Sequence, residues 1–431
     1  MSKLKIAVTV IAIVLAALVV FYALFVVAWK HFSDQRGKNE KVGILDSSAG
    51  AFEPDPEIES PLQFKDGAFK IAFITDIQDV YPLNATTKAF IFEVLRREKP
   101  DLVVLGGDNC VAEYTDLPEG KKENLTDEEK EVLTEKVKNL AIKELCDIFV
   151  GQKTYFTLVF GNHDHEQGMD DDHQLKLYQK YGGEYCLAYD PVPSLTGTAT
   201  HNLTIKNTAG NKNVFNLWMF DSNEYEGGGD GAVCADQVEW YVNKSNELAV
   251  ANGGKLPSFT FQHIVDHNVM DAIFYRAPSF AGNIGRKTSD ATYWNSLKRY
   301  NNFKGFVHEL VCCGYYDHGM HAALKENGKV LACFSGHDHI CNYITNVGGI
   351  DYINTSACTF HAYSEDFLIG CRMIELDESD LTTYKTHSVF VTDYAKEDGS
   401  ILNTFGDMTQ KQAIRAERKR KALALISGEG Y

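Results

Sequence analysis

The feature that most constrains the fold is a set of short apolar runs, each ending on or just before Asp, Asn or His. FKIAFITD (69–76), DLVVLGGD (101–108), TYFTLVFGN (154–162), SFTFQHI (258–264) and KVLACFSG (329–336) are rich in β-branched and aromatic residues. Such runs predict strands buried on both faces, the habit of parallel sheets covered by helices. Over 85–98, Ala89, Ile91, Phe92, Val94 and Leu95 recur among charges, and Pro100 ends the pattern. Strand, helix and strand then form a βαβ unit with parallel strands. Thr126 and Glu129 make a capping box before Leu133, Val137, Leu140, Ala141, Leu145 and Ile148, which predicts a long amphipathic helix over 127–149. A hairpin over 201–222 turning at Gly210, a helix over 235–251 and a β-meander over 342–391 complete an α/β chain.

In open α/β sheets, ligands gather beyond the carboxyl ends of the strands. Here those ends carry Asp76, Gln78 and Asp79; Asp108 and Asn109; Asn162, His163, Asp164 and His165; His263; and His337, Asp338 and His339. Oxygen and imidazole ligands in this mixture suit Mn, Fe or Zn. Taken singly, each has a structural reading: an Asp after a strand is commonly a helix N-cap, and His263 alone could be a hydrogen-bonded rim residue. His267 is a rival for the His263 position. Tyr275-Arg276 could contact a phosphate or be solvated surface. His165, His173, His308 and His318 are read as surface. No Gly-x-Ser-x-Gly, phosphate-binding glycine loop or dinucleotide fingerprint competes with the rim.

In order, Asp-x-Gln, Gly-Asp-Asn, Gly-Asn-His-Asp, a lone His and Gly-His-Asp-His resemble the calcineurin-like metallophosphoesterase superfamily over roughly residues 69–345. The strings VVLGGDN, VFGNHDHE and FSGHDHICN most resemble its purple-acid-phosphatase-29-like branch. The resemblance implies a four-layer α/β/β/α sandwich and two divalent transition metal ions, Mn, Fe or Zn. Asp108 would bridge them. Metal one would take Asp76, Asp108 and His339, with Gln78 where most members have His. Metal two would take Asp108, Asn162, His263 and His337. A bridging water of lowered pKa would attack phosphorus in line. His163 would protonate the leaving alkoxide, and Asp164 would orient His163. Val111 stands where purple acid phosphatases carry their tyrosine, so no purple Fe(III)–Tyr site is implied. The oxygen of Gln78 favours Mn, and Asp79 is the alternative ligand for that position.

The family's activity would be hydrolysis of a small phosphorylated substrate, a mono- or diester or a nucleotide. The alternative is a phosphoesterase fold that has lost catalysis and serves as a binding module at the membrane. A net charge of −17 makes a nucleic acid partner unexpected. The ten cysteines include no Cys-x-x-Cys, so neither a zinc ribbon nor a disulfide scaffold is indicated.

Residues 6–29 carry no charge. At about 1.5 Å per residue they reach roughly 36 Å, more than a bilayer core of about 30 Å. They predict a transmembrane signal anchor, with a cleaved signal peptide as the alternative. The expected organisation is a basic flank (1–5), the transmembrane helix (6–29), a polar stalk (30–64), the metallophosphoesterase domain (65–391) and a basic, solvated C-terminal tail (392–431). Lys30, Arg36, Lys38 and Lys41 oppose export of that domain by charge. A large domain after a short basic N-terminus nevertheless favours an extracytoplasmic position. Asn-x-Ser/Thr triplets at Asn84, Asn124, Asn202, Asn243 and Asn354 do not decide the compartment.

Overall fold

The computed structural model describes residues 54–427 apart from 113–119, 121, 123, 165, 167, 279–285, 298–302 and 398–409. The expected membrane helix and most of the stalk lie outside the described residues. Among the described residues, no helix is long and apolar enough to cross a membrane.

The chain begins with β1 (Ala68–Ile74), α1 (Ala85–Glu98), β2 (Leu102–Gly106), α2 (Asp127–Gln152), β3 (Tyr155–Val159) and α3 (Asp171–Gly182). The antiparallel hairpin β4 (His201–Lys206) and β5 (Asn213–Met219) follows, then a small ribbon of β6 (Tyr225–Glu226) and β7 (Gly229–Asp230). Next come α4 (Ala235–Asn252), β8 (Pro257–Phe261), α5 (Val269–Ile273), β9 (Phe274–Arg276), β10 (Arg286–Lys287), β11 (Thr292–Leu297) and β12 (Phe303–Val307). The last part is α6 (Met320–Asn327), β13 (Lys329–Ser335), β14 (Cys341–Val347), β15 (Ile350–Asn354), β16 (Gly370–Asp377), β17 (Lys385–Phe390), α7 (Val391–Glu397) and α8 (Gln410–Ser427).

Two mixed sheets result. One has the order β17-β16-β1-β2-β3 and the other β12-β14-β15-β13-β8-β5-β4. In the first, β1, β2 and β3 are parallel, and β16 and β17 are antiparallel additions. In the second, β5, β8, β13 and β15 are parallel. The predicted meander over 342–391 is not one sheet. Its strands β14 and β15 belong to the larger sheet and β16 and β17 to the smaller. Alternation in sequence reports that a strand has two faces, but not which sheet it joins.

Burial explains the runs. One core packs α1, α2 and α3 on the smaller sheet, through residues such as Phe90, Leu145, Phe149 and Tyr178. A second lies between the sheets and includes Ile71, Phe73, Val104, Phe259, Phe261 and Phe334. A third covers the outer face of the larger sheet with Trp218, Tyr241, Leu324 and neighbours. Within the middle core, Phe261 stacks on Phe334 at 5.2 Å, and Phe73 touches both at 5.5 and 6.1 Å. These rings belong to β1, β8 and β13, three strands whose ends carry expected ligands.

Both ends of the domain differ from the expectation. Within 54–64, read as stalk, Ser60, Leu62 and Phe64 are buried. Asp55 bonds Lys176 at 2.6 Å, Gln179 at 2.8 Å and the Asp190 amide at 3.0 Å. At the other end, α8 buries Ala413, Ala416 and Arg420. Arg420 donates to Thr392 at 2.7 Å and Asp393 at 2.5 Å and lies over the Phe390 ring. The charge run was read as solvated because composition hides that one helical face holds Ala and a paired Arg.

Phe261→Ala should cost about 3–5 kcal/mol of stability, because it removes a ring that joins the two sheets. Phe92→Ala, at a 41% exposed position, should cost under about 0.5 kcal/mol. Urea unfolding of both variants checks the difference.

Candidate metal centre

The carboxyl ends of β1, β2, β3, β8 and β13 meet at one rim. Two groups of potential ligands form there, Asp76 with Asp108 and His339, and Asp108 with His263 and His337. Asp108 is common to both. Its Oδ2 lies 3.2 Å from His263 Nε2 and 3.3 Å from Gln78 Nε2, and its Oδ1 accepts the His163 amide at 2.8 Å. Asp76 Oδ1 lies 3.4 Å from His339 Nε2 and 3.9 Å from His263 Nε2.

Two of the imidazoles, His263 and His339, are each held by one nitrogen and present the other. His263 Nδ1 is 2.8 Å from the Gly106 carbonyl, and His339 Nδ1 is 2.8 Å from the Tyr363 carbonyl. The His339 ring also stacks on Tyr363, 4.1 Å between centroids. This is how proteins fix the tautomer of a metal-binding histidine. Asn162 Oδ1 and His337 Nε2 are buried and have no hydrogen-bond partner among the described residues, and His263 Nε2 faces the Asp108 and Asp76 carboxylates at 3.2 and 3.9 Å. Buried polar atoms are ordinarily paired, so two orphaned atoms and an imidazole turned toward two carboxylates fit a cation.

The charge balance leads to the same place. Burial pushes the Asp108 carboxyl up, but His263 and His163 more than offset it and hold the group far below the usual carboxylate range. Asp76 is likewise lowered against burial by His263 and His339. Burial opposes a charge on His263, yet Asp108 and Asp76 push it up to about 10. Burial and the neighbouring His263 bring His337 down to about 3, leaving it a neutral donor. The field that favours a proton on His263 would favour a divalent cation more strongly.

The loops have little room. Asp76, Gln78, Asp108 and His337 have φ between +42° and +71°, a region that costs non-glycine residues energy and recurs at functional sites. A side chain at Gly161 would collide with the Asp108 carboxylate, and one at Gly336 with Asp76 and Thr75. The glycines of Gly-Asn-His-Asp and Gly-His-Asp-His are therefore required by close approach.

Several expected residues fall elsewhere. Asp164 does not orient His163. It is fully buried, and its carboxylate accepts the amides of Asp108, Asn109 and Gly161 at 2.8–2.9 Å. Burial and the Asp108 charge push it up to about 6, while Lys138 donates to its carbonyl. It ties the loop after β2 to the loop after β3. The His163 ring is held by Glu166, 2.5 Å from Nδ1, and Tyr225 links Glu166 at 3.0 Å to Asn162 at 3.1 Å. Sequence reasoning missed both. Glu166 is three residues from His163, a spacing that could have suggested contact; Tyr225 gave no signal, since its approach is tertiary. Asp79 accepts the amides of Val80 and Asn84 at 2.9 and 2.8 Å and is in neither ligand group, whereas Gln78 faces Asp108. His267 sits 3.9 Å from Asp290 and Asp317, away from Asp108. Arg276 is held by both oxygens of Asp271, at 2.7 and 2.6 Å.

The protein named "Probable inactive purple acid phosphatase 14" of Arabidopsis thaliana is 23% identical over 337 residues, covering 70% of this chain and 73% of its own length. "Probable inactive purple acid phosphatase 29" of the same plant is 23% identical over 327 residues, covering 70% and 72%. A solved dimetal phosphatase from Danio rerio is 11% identical, covers 74% of this chain and 98% of its own, and has a TM-score of 0.40. Residues 69–341 match the calcineurin-like phosphoesterase family, and the chain belongs to that family.

Proposed function

We propose that the protein is a dinuclear metal-dependent phosphoester hydrolase. The observation that carries this reading is Asp108, a buried carboxylate shared by two ligand groups, with His263 Nε2 beside it and unpartnered Asn162 Oδ1 and His337 Nε2 close by. Asp76, Asp108 and His339 would hold one ion, with the Gln78 side chain beside them. Asp108, Asn162, His263 and His337 would hold the other. Bound ions would supply Lewis-acid stabilisation of phosphoryl oxygens and an activated water at neutral pH. Carboxylate, amide and imidazole donors suit Mn, Fe or Zn; Gln78 turns its amide nitrogen to Asp108, and its oxygen would favour Mn only with the amide reversed. The substrate is a small phosphorylated molecule rather than a nucleic acid, in keeping with the charge of −17.

The chain's own acid is His163. Glu166 takes the hydrogen bond at Nδ1 and leaves Nε2 to carry a proton toward the leaving oxygen. Burial opposes protonation of this ring, but the Glu166 bond and the charge of Asp108 raise its pKa, so the acid form persists to higher pH. Tyr225 steadies Glu166 and the amide of Asn162 together.

A second reading, a phosphoesterase fold without turnover, is favoured by Gln78 in the usual histidine place and by relatives whose names call them inactive. Chelation separates the two. The purified protein should hydrolyse nitrophenyl phosphate or bis(nitrophenyl) phosphate, lose activity in chelator and regain it with Mn, Fe or Zn. Asp108→Ala should lose metal and turnover together. Absence of turnover across the panel with two metals bound per chain would favour the module; full activity at negligible metal content would defeat the dinuclear reading.

His163→Ala should retain metal and lose about 10²–10⁴-fold in kcat on an alkyl phosphate, less on nitrophenyl phosphate, whose leaving group needs no proton. Glu166→Gln should show the same leaving-group dependence with a smaller loss. Asp164→Asn should instead lower thermal stability and metal content together. Equal losses on both leaving groups in His163→Ala would remove the acid assignment.

We also infer a single-pass membrane position with the catalytic domain extracytoplasmic, supported by the uncharged span 6–29. The full chain should stay with membranes through carbonate washing, and externally added protease should reach the 30–53 segment in intact cells. Release by carbonate would refute the anchor; cleavage only after lysis would reverse the orientation.

A further inference from the structure

We propose that Glu226, Cys234 and His318 form a separate mononuclear site for a zinc-type divalent ion. Among the described residues, this is the one His, Cys and acidic group of metal-binding size that shares no residue with the ligand groups around Asp108 and His337. It stands apart from the hydrolase reading and does not depend on it.

The three ligands come from three segments: the end of β6, the residue before α4 and the loop before α6. One ligand atom from each lies within 4.8 Å of the others. His318 Nε2 is already 2.8 Å from Glu226 Oε2, and both side chains are partly buried, at 21% and 36% exposure. Sulfur, imidazole and carboxylate together disfavour Mg and Ca and suit Zn, with solvent in a fourth position. Cys234 Sγ already takes part in sulfur hydrogen bonds, accepting from the Asn223 amide at 3.6 Å and the Gln237 backbone amide and donating to the Ala232 carbonyl at 3.7 Å, and the thiol proton is what a cation would displace.

The local charge favours a cation. The carboxylates of Glu226, Asp236 and Asp221 surround the Cys234 thiol, a negative setting that a cation would relieve. As the metal–sulfur bond forms, the thiol proton passes to solvent. The bound ion would brace the β6–β7 ribbon against the 314–318 loop, which it already meets through the Tyr315 amide and the Asp230 carbonyl at 2.9 Å. That ribbon carries Tyr225, so the ion would steady the Glu166–Tyr225–Asn162 chain from outside the rim.

The test is alkylation of the native full-length chain with and without Zn, read by peptide mapping. Cys234 and Cys312 are half-buried and the other cysteines are buried, so native labelling reads these two. Cys312 belongs to a ligand group with His337 and serves as the comparison. Zn should slow labelling of Cys234 by about tenfold or more. His318→Ala and Glu226→Gln should each weaken that protection and leave the response of Cys312 unchanged. Co(II) should give a sulfur-to-metal charge-transfer band that Cys234→Ser removes. Equal labelling of Cys234 with and without Zn in the unmodified chain, or protection that survives both substitutions, would overturn the assignment.

Discussion

Two carboxylates buried side by side are the constraint on which the rest of this structure rests. Asp76 and Asp108 are 0% and 1% exposed, and anionic groups at that depth are tolerated only when hydrogen bonds and positive charge surround them. The surroundings follow from this. Asp76 receives the His337 amide and the Thr75 hydroxyl, and Asp108 receives the His163 amide. Left-handed backbone turns aim those amides inward, glycines remove the side chains that would intervene, and imidazoles complete the ring. The phenylalanine cluster beneath supplies rigidity, because three of the strands that end at the site are packed through it.

Much of this was legible in the sequence, for identifiable reasons. A strand buried on both faces must be a continuous apolar run, so β1, β2, β3, β8 and β13 were all readable to within a few residues. Helix α2 was readable because period and capping agree, the Thr126 box being present as expected, and α1 because its apolar positions recur until Pro100. The polar residues just past those strands were legible because a parallel sheet leaves few other places to gather them. Less legible were partnerships made across the fold. Asp164 follows His163 in the chain, yet the turn sends its carboxylate back to the amides of the β2 loop and leaves the ring to Glu166. His318 looked like a surface histidine because its partners Glu226 and Cys234 lie more than eighty positions away. The strands β9 to β12 were not legible: they are short and take their order from tertiary contacts.

Asp164 shows why motif and role should be kept apart. In Gly-Asn-His-Asp the last residue is as well placed in sequence to assist catalysis as to build the loop. Geometry decides for the loop, with three backbone amides on one carboxylate. It fixes the position of Asp108, to whose amide it bonds. The residue that touches the His163 ring lies two positions further on.

The pairing of Asp76 with the His337 amide spans 261 residues, and this has a consequence for how the protein is made. Contacts of such separation carry a large loop-closure cost and form only after local structure is in place. During synthesis, the smaller sheet's β1, β2 and β3 emerge long before β13. A nascent chain therefore holds Asp76 and Asp108 without their histidines from the larger sheet. The candidate ligand set is complete only when the two sheets have closed on each other, so an ion held there would be captured after tertiary assembly and would mark a chain that has finished folding.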